Sequence, residues 1–402
     1  MLVLQARADV ATNSPLTEWI DSDTGHRVIQ LSREPGSQSL YFNLNAFTPD
    51  GQKMVIGTPT GISTINLKTR AIEKIVGGRV RIIQVGHKTG QIYYSRNGTI
   101  YATDPDSKAT RKVAKLPPDG SVSAVNADET LLAGTVSERN ALATNEENVD
   151  FGPNRLIADQ RGGRSKNIED RFNQHLTMEL FFLNIQTGEI KKYNRCNDWL
   201  NHLVFSPTDP DRLMFCHEGP WHKVDRIWTI RTDGTGLTDI HQRTMAMEIA
   251  GHEFWGADGQ TIWYDLQTPR GEDFWLAGYN VTTGQRTRYH LQRDEWSVHF
   301  NVSPDGTLFC GDGGDEKMVA HAGNGKWLYL FRPELSADKS GGTNLIQSGV
   351  FHSERLVNLS KHDYALEPNA MFSPDMKWLI FRSNMSGASQ VYAVELQKAG
   401  GK

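Results

Sequence analysis

Val302-Ser-Pro-Asp-Gly-Thr-Leu-Phe309 joins one apolar strand end to another through Pro-Asp-Gly. Proline presets one turn dihedral and glycine accepts the positive φ of a tight reversal, so the phrase reads as a β-hairpin turn. It recurs with variations as Phe47-Thr-Pro-Asp-Gly-Gln-Lys-Met-Val-Ile56, Val85-Gly-His-Lys-Thr-Gly-Gln-Ile-Tyr-Tyr94 and Val125-Asn-Ala-Asp-Glu-Thr-Leu-Leu132. Three further copies are Phe205-Ser-Pro-Thr-Asp-Pro-Asp-Arg-Leu-Met-Phe215, Phe254-Trp-Gly-Ala-Asp-Gly-Gln-Thr-Ile-Trp-Tyr264 and Phe372-Ser-Pro-Asp-Met-Lys-Trp-Leu-Ile-Phe381. Seven copies result, mostly about 40 to 50 residues apart, which is a propeller period.

Most copies are followed by a second hairpin, such as Leu180-Phe-Phe-Leu-Asn-Ile-Gln-Thr-Gly-Glu-Ile190 or Leu276-Ala-Gly-Tyr-Asn-Val-Thr-Thr-Gly-Gln-Arg286. Two hairpins make a four-stranded blade that cannot bury both faces alone and must stack on its neighbours. The pattern predicts an all-β, seven-bladed β-propeller spanning residues 16–402 as one domain, with residues 1–15 as an N-terminal tail or signal remnant. Leu16–Ile20 and His26–Leu31 are placed to close the ring beside Gln390–Leu396. Two intervals are longer than the rest. Ser137 to Thr177 reads as a polar loop, and Gly311 to Asp363 contains Gly323-Asn-Gly and an edge segment at Lys326–Phe331.

Composition narrows the partners. A formal net charge of -4 leaves no concentrated basic surface for a phosphate backbone, so nucleic acid is not expected. No apolar run approaches the ~20 residues that span a bilayer, so no membrane partner is expected either. Met1–Ala8 has the small residues of a signal cleavage site without its basic start. Cys196, Cys216 and Cys310 lie too far apart in sequence to suggest a disulfide framework or a zinc spacing, and read as small buried hydrophobes.

Polar chemistry concentrates between Asn197 and Glu253, where five histidines fall among strand patterns. His202, His252 and His299 occupy related places on or just before the opening strands of successive blades, and His217 follows the next strand of the first of these. Opening strands line a propeller's central funnel, so such residues converge on one cavity. Each histidine taken alone is equally well a hydrogen-bonded loop residue. Glu218, Glu253 and Arg226 add charge to the same rim. A guanidinium suits two-point contact with a carboxylate, which points to an anionic sugar or acid as guest. The plainer reading of Arg226 is an ion pair with Asp225 or Glu218. Trp199, Trp221, Trp255 and Trp296 flank the histidines, as sugar-stacking platforms or as core.

A second polar cluster comprises Gln347, His352, His362, Asp363, Tyr364, Glu367 and Asn369. Glu367 and Asn369 are two residues apart and so lie on one side of an extended segment. With His299 they offer a nitrogen and oxygen donor set for Mn²⁺, Ca²⁺ or Mg²⁺, against the alternative of a capped loop without metal.

The run Asn197-Asp-Trp-Leu-x-His202, with Phe215-Cys-His-Glu-Gly-Pro220, Val224-Asp-x-Ile-Trp228 around Arg226, His252-Glu-Phe-Trp255, His299-x-x-x-Ser-Pro-Asp-Gly306 and Gly311-Asp-Gly313, resembles the oligogalacturonate lyases. These are seven-bladed propeller polysaccharide lyases, and the likeness runs from about Trp19 to Leu396. It implies β-elimination of short uronate chains from pectin, a divalent cation that is typically Mn²⁺, and a cytoplasmic location; a signal remnant at residues 1–8 would instead imply the periplasm. By position, His252 matches the proton-abstracting base, Arg226 the substrate-binding arginine and His299 a metal ligand. Where the family has Gln-x-x-His-Pro-His, this chain has Tyr364-Ala-Leu-Glu367-Pro368-Asn369. Two imidazoles are replaced by a carboxylate and an amide, which favours a harder cation or none.

Elimination asks for such groups. Removing the proton on C5 of a uronate builds negative charge on the adjacent carboxylate, so charge stabilisation is the larger task. An imidazole, with an ordinary pKa of about 6.5, serves as base near neutral pH. The expected site therefore has His252 and Arg226 as catalytic groups, His202, His217, Glu218 and Tyr364 as substrate contacts, and His299, Glu367 and Asn369 at the metal. The partner is an anionic oligosaccharide, and the protein a monomer or weak homo-oligomer. Competing readings are a lyase for another uronate linkage such as rhamnosyl-glucuronide, a hydrolase using Glu218 and Glu253, and a non-enzymatic propeller of the TolB kind.

Overall fold

In each blade the Pro-Asp-Gly phrase or its variant forms the turn between the innermost strand and the next. The computed structural model describes residues 17–138, 168–314, 326–337 and 346–400. Blade 2 shows the plan: Arg81–Val85, Ile92–Arg96, Thr99–Thr103 and Thr110–Lys115 run antiparallel in sequence order from the axis outward. Blade 3 (opening with Gly120–Val125), blade 4 (Trp199–Phe205) and blade 5 (Ile249–Trp255) repeat it. In blade 1 the innermost strand shrinks to a bridge between Phe47 and Met54 beside the three strands that follow.

The ring closes as the sequence predicts. His26–Gln30 pairs with Gln390–Lys398 of blade 7, Val28 opposite Val394, so the outer strand of the last blade comes from the start of the chain. Glu18–Ile20 extends that edge. Buried apolar clusters sit as wedges between neighbouring blades, such as Phe181 and Leu183 of blade 3 with Tyr93 and Ile100 of blade 2. Each alternating strand thus buries both faces only because another blade stands on each side.

Some expectations are corrected. The segment at Lys326–Phe331 is no edge: Trp327–Leu335 lies between Phe309–Gly311 and Gln347–Asn358 in blade 6. The outer strand of blade 6 also pairs in parallel with Arg286–Leu291, Thr287 opposite Gln347, joining blades 5 and 6 into one eight-stranded sheet. Most of the polar loop after Ser137, the Gly323-Asn-Gly turn and the Met1–Ala8 tail lie outside the described residues.

A further feature sets up the site. Residues 39–45 do not stay at the rim of blade 1 but cross the channel, where Phe42 is fully buried against Phe254 of blade 5. Its carbonyl accepts from Asn301 Nδ2 at 3.0 Å, and Asn43 Nδ2 donates to the Glu253 carbonyl at 3.0 Å. The segment is a plug, and the histidines gather around it.

Candidate active site

The first residue after each opening strand donates its backbone N–H back across the hairpin, as Ser206, Gly256, Ser303 and Ser373 do in blades 4 to 7. Counting four residues back from these gives His202, His252, His299 and Asn369. All four have left-handed backbones, with φ of 48°, 48°, 47° and 51°. The conformation is uncommon outside glycine, with histidine and asparagine among the residues that tolerate it best. In blades 4 and 5 it coincides with a bulge, the register slipping between Asn201 and Val204 and between Gly251 and Phe254. A bulge re-aims a side chain. The left-handed turn places one polar side chain from each of four consecutive blades at one level of the funnel. The same register position in blades 1 to 3 carries Leu44, Ile82 and Val122.

The His252 and His299 rings lie 4.3 Å apart between centroids, and Tyr41 of the plug stands 5.9 Å from His202 and 5.8 Å from His299. Each inner histidine is anchored through Nδ1 by an aspartate thirteen residues further on. His252 Nδ1 lies 3.2 Å from both oxygens of Asp265, and His299 Nδ1 lies 2.7 Å from Asp312 Oδ2. A carboxylate partner sets the tautomer with the proton on Nδ1 and leaves a lone pair on Nε2. His299 Nε2 is buried, makes no hydrogen bond, and faces Glu367 Oε2 at 3.6 Å. Burial alone would favour the neutral ring, but the Asp312 and Glu367 carboxylates outweigh it and raise the His299 pKa above its ordinary value. An unpartnered imidazole nitrogen facing a carboxylate is a donor pair that a divalent cation fits.

Asn369 is wholly buried beside this pair. Its Oδ1 accepts from the Phe42 N–H at 3.4 Å, its Nδ2 donates to the Glu367 carbonyl at 3.2 Å, and its backbone N–H donates to Asp312 Oδ2 at 3.2 Å. The Tyr364 hydroxyl, expected at the substrate, donates to the Asp312 carbonyl at 2.7 Å from a buried position. Arg382, thirteen residues after Asn369, donates from Nε to the Glu367 carbonyl at 2.7 Å. Gln347 and His352 of the second polar cluster are exposed residues on the outer strand of blade 6 and do not join the site.

Arg226 is 3% exposed and enclosed by acids. Its Nη1 pairs with Glu218 Oε1, and its Nε lies 3.0 Å from Glu253 Oε2. Burial by itself would raise both carboxyl groups, but the guanidinium holds them below the usual carboxylate range. Neither is set to donate a proton, so the acid and base pair that a hydrolase requires is absent from these two glutamates. Glu218, expected as a substrate contact, is spent on Arg226 and on His202 Nε2 at 3.3 Å. Strand alternation turns neighbouring His217 to the opposite face, where it stacks on Trp228 at 4.9 Å and meets Asp198 at 3.2 Å. Among the tryptophans, Trp255 and Trp296 are core, whereas Trp221 borders the site, 4.9 Å from His252 and 5.0 Å from the Arg226 guanidinium carbon.

A family model described as oligogalacturonate lyase matches residues 163–399. The chain belongs to that family. As a member of the oligogalacturonate lyases it is a lyase acting on oligosaccharides. It is 23% identical over 403 residues to an oligogalacturonide lyase of Pectobacterium atrosepticum, covering 95% of this chain and 97% of that one. To an oligogalacturonate lyase of Dickeya dadantii it is 23% identical over 395 residues, covering 94% and 95%. A solved oligogalacturonate lyase in complex with manganese has the same fold, with a TM-score of 0.75, 22% identity and 96% coverage of both chains.

The sequence patterns assign no role to Asp265, Tyr41 or Arg382, and Asp312 enters only within the phrase Gly311-Asp-Gly313. The thirteen-residue interval was a usable signal for the two aspartates, because it is the length of the hairpin that returns the chain to the histidine's side. Tyr41 offered none, since no repeat phrase marks the plug.

Proposed function

We propose that this oligogalacturonate lyase cleaves short galacturonate chains by β-elimination, leaving a product unsaturated between C4 and C5. The observation that carries this reading is the set of left-handed, aspartate-anchored histidines on adjacent blades, which supplies a base and a cation donor side by side. His252 takes the C5 proton on Nε2, while Asp265 fixes its tautomer and stabilises the imidazolium that forms, as a buried carboxylate does for a general-base histidine. His299 and Glu367 hold a divalent cation, Mn²⁺ in keeping with the manganese complex of the structural relative. When bound, the cation supplies positive charge for the substrate carboxylate as the C5 proton leaves. Asn369, Tyr364 and Asp312 position those two donors rather than adding a full imidazole set.

Arg226 acts through its surroundings. Two buried glutamates fix it against Trp221, and Trp221 edges the His252 ring, so Arg226 orders the wall on which the base stands, its own charge being met by the two carboxylates. His202, the most open of the three histidines, contacts substrate.

The test is the ultraviolet absorbance of an unsaturated uronate, followed with di- and trigalacturonate in the presence of Mn²⁺, with a rhamnosyl-glucuronide as a second substrate. Rising absorbance on galacturonates is expected. Activity confined to the rhamnosyl-glucuronide would move the substrate to another uronate linkage, and a saturated product would overturn elimination.

A further inference from the structure

Arg81 opens the inner strand of blade 2, five residues ahead of Gly86, whose N–H closes that hairpin. By the same count it is equivalent to Asn201 and Gly251, the residues just before His202 and His252. Pairing agrees: Arg81 faces Ser95, Asn201 faces Cys216 and Gly251 faces Asp265, each at the same step from its turn. Arg81 therefore stands at the same mouth of the funnel as the histidines, one residue step further out. Blade 2 is three blades from blade 5, so Arg81 is nearly across the axis from His252.

Its environment is unlike that of Arg226. Nη1 donates to Ser121 Oγ at 2.7 Å and to the Val122 carbonyl at 3.3 Å, and Nη2 donates to Ser123 Oγ at 3.4 Å. Ser121 and Ser123 are half-buried residues of the neighbouring inner strand, on either side of Val122, where the register of that strand slips. Three neutral acceptors thus hold the guanidinium in place, and among the described residues no carboxylate pairs with it. Burial pulls its pKa below the ordinary arginine value and no acidic group offsets that, the reverse of Arg226. A half-buried cation without a counter-charge is stabilised by any anion that reaches it.

We propose that Arg81, oriented by Ser121 and Ser123, is a second anion site on the funnel wall, which takes the carboxylate of a uronate residue other than the one that reacts at His252. The inference rests on the lyase reading above and extends it to chain length: a substrate long enough to reach from blade 5 to blade 2 gains a two-point contact that a shorter one lacks. Arg81 lies outside the stretch matched by the family model, so family membership does not itself assign it this role.

The experiment compares trigalacturonate with digalacturonate. In Arg81→Gln the ratio of kcat/KM for the trimer to that for the dimer is expected to fall about tenfold, the worth of one charge-assisted contact. Ser121→Asp is the second variant. It gives Arg81 an internal partner without removing it, and should lower the ratio in the same direction with the fold intact. Calorimetry of trigalacturonate on His252→Ala, with and without Arg81→Gln, reads the same contact without turnover. A ratio unchanged within twofold in both variants of an active enzyme overturns the anion site alone. Wild-type protein inert on both oligomers, with no binding to His252→Ala, overturns the lyase reading and the anion site with it.

Discussion

At the scale of single residues, His299 and Glu367 make the first prediction. Calorimetric titration with Mn²⁺ should give one tight equivalent in the wild type and none in His299→Ala. Asp312→Asn, which keeps the size but loses the anchor on Nδ1, should weaken binding about 10- to 100-fold. His362 makes the second. Burial holds its pKa down at about 4, with Ser383 Oγ at 2.9 Å and the Leu366 carbonyl at 2.6 Å from its two nitrogens. In the unfolded chain it titrates near the ordinary value of 6.5, so below that pH the unfolded state binds a proton that the folded state refuses. Its contribution is complete above pH 6.5 and is lost as the pH falls towards 4, amounting to roughly 3 kcal/mol at the limit. His362→Gln should therefore flatten the acid side of a plot of Tm against pH, and an unchanged slope would contradict the assignment. The three funnel histidines were legible because they share a phase with the repeats. The direction of their neighbours was not: His217 and Glu218 are adjacent in sequence and face opposite ways, and only the strand register decides which of them meets Arg226.

At the scale of elements, the bulged inner strand and the loop after Glu218 are fitted to one another. A Cβ on Gly251 would come within 2.6 Å of the Trp221 ring, so Gly251→Ala should displace Trp221 from the His252 edge. The expected cost is about 1 to 3 kcal/mol in urea denaturation together with a lower kcat. Arg226→Met should be worse, since it strands Glu218 and Glu253 as buried charges, at about 3 to 5 kcal/mol; a variant as stable as wild type would mean the glutamates have another partner. Strand positions were predictable from turn chemistry because each hairpin is local. The channel plug at residues 39–45 was not, since its contacts with blades 5, 6 and 7 are made across the axis. The parallel pairing of Thr287 with Gln347 was hidden for the same reason: no turn residue announces a contact between two blades' outer edges.

The whole molecule is a ring, and its stability and its site both follow from closure. Val28 is fully buried opposite Val394, on a strand that ties the start of the chain to the last blade. Val28→Ala should cost about 2 kcal/mol and lower the midpoint of a single cooperative transition; a separate early transition for blade 7 would contradict that picture. Seven blades and their closing strand were legible because a blade is a repeated unit with an obligate neighbour. Closure also brings His202, His252, His299 and Asn369, spread over 168 residues, to one level of one funnel. The measurement that tests this most directly is the rate of unsaturated-uronate formation from trigalacturonate by His252→Ala at saturating Mn²⁺, with folding checked by circular dichroism. A loss of about 10²- to 10⁴-fold with the fold retained is the predicted result. A folded His252→Ala enzyme that eliminates at the wild-type rate would contradict the account, because the proton would then be leaving to some other group.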